Sequence, residues 1–254
     1  MLLYSCPPMK ALPLVSIVIP AYNEAKRITQ TLETIRLYLS KIQEPAEVIV
    51  VNDGSQDDTV PIVQKLCESW DQLHLIQNPG NCGKGFSVKN GALAAKGEIV
   101  LFTDADLSAP ISEMSKLLNP IRTGECDVCF GSRGLDRSLI GVHQSKLREV
   151  SGRIYNLFMQ LLTGLRFKDT QCGFKAFRRE PLIPVFQQQK ITGFGFDPEM
   201  LYIAQKRGLR LKEVSVRWDH AEGTTVRFIR DPLLMFLGLL KIRWNHLMGK
   251  YRYY

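Results

Sequence analysis

Hydrophobic positions in the first half of the chain follow two alternating rhythms. Short, β-branched-rich apolar runs recur near residues 14–19, 46–51, 73–76, 98–102 and 126–131. Between them, apolar residues return every three or four positions. Runs of the first kind fit strands buried on both faces of a parallel sheet, and the second spacing fits helices laid against it. The pattern predicts a strand from Leu14 to Ile19, stopped by Pro20, and a helix from Ala25 to Ser40 with Ile28, Leu32, Ile35 and Leu39 on one face. A strand from Ala46 to Val51 follows, then a helix capped by Asp57 or Asp58 that carries Val60, Val63, Leu66 and Trp70. Leu73 to Ile76 is a strand, Lys84 to Lys96 a helix of small residues, and Glu98 to Phe102 a strand leading to Asp104. Ser112 to Ile121 reads as helix and Cys126 to Gly131 as strand. This βα alternation with short loops predicts an α/β fold with a doubly wound, mostly parallel, Rossmann-like sheet.

After Gly131 the rhythm changes. His143 to Thr163 reads as a long amphipathic helix with Leu147, Val150, Ile154, Leu157 and Leu161. Asp169 to Phe177 reads as a strand, Glu180 to Gln189 and Pro198 to Arg207 as helices, and Leu211 to Val216 alternates like an edge strand. A C-terminal amphipathic helix runs from about Pro232 to Met248. No repeat or linker divides the chain, so one core is expected. One domain would span 14–220, with a first half at about 14–131 and a second half at about 132–220. Residues 221–254 would form a loop and a basic amphipathic helix that either associates with a membrane or packs on the core with a solvated basic tail.

Length and composition suit a globular protein: 254 residues, 45% hydrophobic and 23% charged. The longest apolar run, Pro232 to Leu240, falls well short of the roughly 20 residues of a spanning helix. Pro7, Pro8 and Pro13 interrupt the N-terminal apolar residues, so no signal peptide is expected. The net charge is +8, and nearly all of the excess lies in 205–254, where eleven Lys or Arg face four Asp or Glu. That placement points to an anionic partner, either lipid headgroups or nucleic acid. Six cysteines without regular spacing argue against a disulfide framework. Cys126 and Cys129, on a strand, would point to opposite faces as core filling in a reducing compartment.

Four strand ends carry polar chemistry: Tyr22-Asn23-Glu24, Asn52-Asp53-Gly54-Ser55, Asn81-Cys82-Gly83-Lys84-Gly85 and Asp104-Ala105-Asp106. Ligands of open α/β sheets bind at this edge. Two acids two residues apart repel each other in a dry crevice unless a proton or a cation compensates, and a hard divalent cation suits carboxylate oxygens. Each end taken singly is also ordinary turn chemistry. Tyr22 can stack on a base, Asp53 can accept from a base N–H, and Lys84 beside a helix N-terminus can meet phosphate. The segment Gly80–Gly85 is too short for a phosphate-binding P-loop, and no G-x-G-x-x-G follows the first strand, which disfavours a nicotinamide cofactor.

Ile-Pro-Ala-Tyr-Asn-Glu at 19–24, Asn-Asp-Gly-Ser at 52–55, Asn-x-Gly-Lys-Gly at 81–85 and Asp-Ala-Asp at 104–106 resemble the family 2 glycosyltransferases of the GT-A fold. The stretch Asp-Thr-Gln-Cys-Gly-Phe-Lys at 169–175, with Phe-Asp-Pro-Glu at 196–199 and Ala-Glu-Gly-Thr at 221–224, looks like the dolichyl-phosphate β-glucosyltransferase branch. The resemblance implies inverting transfer of a hexose, glucose from UDP-glucose, to a polyprenyl phosphate, with Mg2+ or Mn2+ held by Asp106 and Asp104. It implies donor contacts at Pro20, Ala21, Tyr22, Glu24, Asp53, Lys84 and Asp104, and acceptor-phosphate contacts at Arg133, Arg148 and Ser151. Asp197 would act as catalytic base or as an orienting group, its structural reading being a helix N-cap before Pro198. Gln171 and Cys172 would line the sugar pocket, and Thr224, Thr225 and Arg227 a lid. Relatives often carry Ser-Lys after the Glu-Gly of that loop. Here Thr224-Thr225 stands instead, which leaves Arg227 as the replacement cation. The implied partners are a nucleotide sugar, a polyprenyl phosphate and a membrane surface rather than nucleic acid, with peripheral attachment on the cytosolic face. The rival readings are a mannosyl- or other hexosyltransferase on the same lipid, a same-fold enzyme with a soluble hydroxyl acceptor, and a silent binding module.

Overall fold

The computed structural model describes residues 15–142, 146–220 and 230–252. Its strands are β1 (Val15–Ala21), β2 (Ala46–Asn52), β3 (Leu73–Gln77), β4 (Ile99–Thr103), β5 (Val128–Ser132), β6 (Ile140–Val142), β7 (Phe174–Arg178), β8 (Leu211–Ser215) and β9 (Trp218–Asp219). Its helices are α1 (Ile28–Ile42), α2 (Thr59–Cys67), α3 (Lys84–Ala94), α4 (Met114–Arg122), α5 (Lys146–Thr163), α6 (Arg179–Gln188), α7 (Phe196–Lys206) and α8 (Arg230–Leu247). Seven strands form one sheet in the order β3-β2-β1-β4-β7-β5-β8, and β6 pairs with β9. The main sheet is parallel except for β7, which runs antiparallel to both β4 and β5.

Both faces of the sheet are covered, which is why its strands read as unbroken apolar runs. Val15, Ile17, Ile19, Val48 and Val50 face one cluster with α1, α2 and α4. Val18, Ile49, Val51, Val100 and Phe102 face the other, with α3, α6, α7 and the inner sides of α5 and α8. The buried Ser16 is satisfied locally. Its hydroxyl donates to Glu47 Oε1 at 2.6 Å and accepts from the Gly97 N–H at 2.8 Å, which ties the entry of β4 to β1 and β2.

Several expectations are corrected. Pro20 does not stop β1; it stays in register with Val51. Pairing of β1 with β4 has already ended at Val18, so the missing N–H of proline falls where that neighbour has diverged. The strand expected from Asp169 begins only at Phe174, because Asp169 to Gly173 form a loop. Cys126 precedes β5, so strand alternation does not apply to it. Its thiol meets that of Cys129 within the same cluster instead of facing away. The edge strand β8 does not alternate; all five residues are half-buried.

Helix α5 turns an apolar stripe outward. Val150, Ile154, Leu157 and Leu161, from the amphipathic pattern read in the sequence, are exposed (51%, 52%, 57% and 72%). The helix carries a second apolar stripe, Tyr155, Met159 and Leu162, and that one faces the core. Helix α8 behaves likewise. Leu239 and Ile242 are buried, while Leu233, Leu237, Leu240, Trp244 and Leu247 face outward. Phe158 and Phe236 join the two helices edge to face, with ring centroids 5.2 Å apart. Beyond α8, Tyr251 is buried and its hydroxyl donates to Glu199 Oε1 at 2.7 Å. Among the described residues no helix is long and apolar enough to cross a membrane.

Candidate active site

The order β3-β2-β1-β4 sets the four polar strand ends side by side. Pro20 and Ala21 close β1, and half-buried Tyr22 follows them at the crevice. The next turn is stitched to the loop after β2. Asn23, in the left-handed region at φ 56°, accepts from the Gln56 N–H through Oδ1, and the Glu24 N–H donates to Thr59 Oγ1 at 2.8 Å. Asp53 sits at the end of β2 as expected, but its carboxylate is committed inward. It accepts from Asn78 Nδ2 at 2.8 Å and from the N–H groups of Cys82 and Gly83 at 3.0 and 2.8 Å. It therefore shapes the loop that delivers Lys84. Gly83 is required there: its φ is 101°, and a Cβ would stand 2.5 Å from the Thr192 carbonyl oxygen.

Lys84 opens α3 and reaches across to β4, with Nζ 2.6 Å from Asp104 Oδ1. Burial alone would push this ammonium down. Asp104, Asp197 and Asp106 outweigh burial and hold its pKa above the usual lysine value. Ala105 is buried, so Asp104 and Asp106 turn together to the open side. The loop they occupy is tightly fixed. The Asp104 N–H donates to the Gly173 carbonyl at 3.2 Å, Asp106 Oδ1 accepts from the Ser108 N–H at 2.9 Å, and the Asp219 N–H reaches the Ser108 carbonyl at 2.8 Å. Any side chain at position 173 would collide with Asp104, since a Cβ there lies 2.0 Å from Oδ2. Leu107, at φ 47°, is in the left-handed region that bulky residues avoid, so this turn holds backbone strain. Glu24 joins the acids from the β1 side. Burial first, then Asp106, Asp104 and Asp57, raise its pKa to about 7 against the opposing pull of Arg27.

Among the described residues no three His, Cys, Asp or Glu side chains form a ready metal cage. The chemistry nonetheless fits a hard divalent ion. Glu24, Asp104 and Asp106 line one mouth, where burial and then the two aspartates raise the Glu24 pKa, and a lysine is drawn onto Asp104. Such a site is completed by substrate phosphates.

Arg133 follows β5 and is engaged by Asp169, with Nε 2.6 Å from Oδ2 and Nη2 2.9 Å from Oδ1, and it lies over the Trp218 ring at 5.3 Å. Burial opposes both charges, yet the pair prevails: Asp169 is held below and Arg133 above the usual range. Arg133 is thus paired with Asp169 at the end of β5. Arg148 and Ser151 lie on α5; the Arg148 side chain is outside the described residues, as are Thr224, Thr225 and Arg227. Gln171 and Cys172 lie in the loop beside Asp104. Cys172 is buried among apolar residues, and Gln171 Nε2 is buried without a hydrogen-bond partner among the described residues. Asp197 is not an N-cap: α7 begins at Phe196 with Gly195 as its cap, and Asp197 lies buried in the first turn. Two residues at this site were not singled out from the sequence, Lys175 and Tyr155. Lys175 Nζ meets Asp197 Oδ1 at 2.6 Å, and the buried Tyr155 hydroxyl lies close enough for Asp197 to raise its pKa, after burial. A lysine inside the apolar string Phe174-Lys175-Ala176-Phe177 was the available signal.

The family model described as Glycosyl transferase family 2 matches residues 16–186. The chain is 35% identical over 237 residues to a dolichyl-phosphate beta-glucosyltransferase of Trichomonas vaginalis, spanning 90% of this chain and 72% of that protein. Against the human dolichyl-phosphate beta-glucosyltransferase the identity is 34% over 250 residues, spanning 93% and 77%. Among solved structures, glucosyl-3-phosphoglycerate synthase from Mycobacterium tuberculosis, in complex with Mn2+ and uridine-diphosphate-glucose, superposes with a TM-score of 0.65. That superposition has 19% identity and covers 94% of this chain and 79% of that one. With an acid-lined crevice at the strand ends of a GT-A sheet, the chain belongs to glycosyl transferase family 2.

Proposed function

We propose that this protein is an inverting, metal-assisted glucosyltransferase. It would move glucose from UDP-glucose to a dolichyl-type polyprenyl phosphate while held peripherally on the cytosolic face of a membrane. The observation that carries this reading is the convergence of Glu24, Asp104, Asp106 and Lys84 at adjacent strand ends, in a chain whose relatives are named for that activity. A divalent ion on Asp106 and Asp104 would supply charge neutralisation for the departing diphosphate. Lys84 then serves the same diphosphate from the N-terminus of α3. Tyr22 offers a ring to the base. The acceptor phosphate has a second pKa of about 6 and is mostly dianionic near neutrality, so its attack on the anomeric carbon needs no base. Lys175 Nζ engages Asp197 Oδ1 at 2.6 Å, which supports an orienting role for Asp197.

Radiolabelled UDP-glucose and GDP-mannose, each offered with a polyprenyl phosphate, test the donor. Transfer from UDP-glucose, abolished by EDTA and reduced at least about 100-fold in Asp106→Ala, is expected. Equal transfer from GDP-mannose, or full activity of Asp106→Ala in EDTA, would sink the reading. Membrane attachment is supported by the apolar residues that α5 and α8 expose together.

A further inference from the structure

Lys175 is the one fully buried lysine among the described residues. It sits on β7, the antiparallel strand inserted between β4 and β5. Its Nζ contacts Asp197 Oδ1 at 2.6 Å and the Cys172 carbonyl at 2.5 Å, and stands 5.1 Å from the centre of the Phe102 ring. The strand around it is apolar, and a methionine has nearly the same length. A buried ion pair is seldom more stabilising than an apolar pair of similar volume, so stability alone is a weak reason for this arrangement.

The groups facing Asp197 supply a better one. From α3 comes Lys84, from the loop after β4 comes Asp104, from α5 comes Tyr155, and from β7 comes Lys175. These charges alternate: Lys175, Asp197, Lys84, Asp104. We infer that Lys175 is a positioning residue for the transfer reaction, fixing Asp197 as an oriented anion so that Asp197 and Asp104 together hold Lys84 at the diphosphate. This rests on the glucosyl-transfer reading above. Asp197 then acts as an electrostatic anchor behind the donor. Burial raises the Asp197 pKa and Lys175 is the largest influence against it, so loss of the ammonium would raise it further.

The test compares Lys175→Met, Lys175→Arg and the charge-free double variant Lys175→Met/Asp197→Asn, each with kcat/KM from pH 5 to 9 and a thermal melt. Lys175→Met is expected to lose at least about 100-fold in kcat/KM at pH 7. Its acid limb should move up by about one pH unit or more, so that activity returns as the pH rises. Lys175→Arg should restore the limb. The double variant should recover Tm and stay slow at every pH. An unchanged acid limb in Lys175→Met with only a lowered Tm overturns the inference, and so does wild-type turnover in the double variant, which remains informative if Lys175→Met fails to fold. A wild type that transfers nothing from UDP-glucose would overturn the functional reading instead. The pair is then read from the pH at which Mn2+ with UDP raises Tm, expected to lie higher in Lys175→Met and, if unchanged, fatal to the inference.

Discussion

Glu24 shows how the crevice opposes its own charge. Its carboxyl titrates near 7 in the fold, against 4.5 ordinarily, because burial and the two loop aspartates disfavour ionisation. The folded chain therefore keeps a proton that the unfolded chain has released. This contribution to stability is fully present below about pH 4.5 and is lost as the pH rises through about 7, amounting to no more than about 3 kcal/mol. Urea unfolding in EDTA at pH 5 to 8 should show that decline in the wild type. Glu24→Gln should flatten it, and a Glu24→Gln protein with the same slope would refute the assignment. At this scale the sequence exposed Glu24, Lys84, Asp104 and Asp106, because polar residues after apolar runs mark the functional edge of a sheet. It did not expose the inward commitment of Asp53, the engagement of Arg133 by Asp169 or the partner of Lys175. Each of those contacts joins residues more than twenty positions apart.

Elements were legible as types and less so as neighbours. The spacing in α5 predicts an amphipathic helix, and it is one, but with its best apolar stripe outward. Periodicity identifies an apolar face; it does not say what covers it. Of the sixteen exposed large hydrophobic side chains among the described residues, twelve lie on α5, α8 and Met248 just beyond it. At about 100° per residue, Leu233, Leu237, Leu240, Trp244 and Leu247 form a stripe with Lys241 on one edge and Arg243 on the other. Arg153 edges the stripe of α5 in the same way. Apolar side chains bordered by cations suit the interface of an anionic bilayer. Leu157→Glu/Leu161→Glu and Leu240→Glu/Leu247→Glu should each weaken binding to vesicles containing anionic lipid by about 100-fold or more. Transfer to a short, water-soluble prenyl phosphate should survive. Unaltered vesicle binding would refute this face, and a change in sedimentation would assign it to a second copy of the chain.

At the scale of the whole molecule, the C-terminal segment is tied into the core. Glu199, fully buried, accepts from the N–H groups of Lys190 and Ile191 and from the Tyr251 hydroxyl, which clamps the tail beyond α8 onto α7. Tyr251→Phe should lower unfolding free energy by about 1.5–3 kcal/mol, as expected for a hydrogen bond to a buried carboxylate, without altering stabilisation by Mn2+ and UDP. No loss in urea unfolding would show that the clamp is incidental. The sequence by itself determined the alternation of strands and helices, the doubly wound class and the chemistry of four strand ends, since burial on two faces and turn composition are written locally. Only the tertiary structure decided that β7 runs backwards between β4 and β5, and that its lysine meets the first turn of α7 beside Lys84. It also decided that, among the described residues, the apolar stripes of α5 and α8 are exposed. These features depend on which distant segments become neighbours, and that is set by competition among packings of the whole chain.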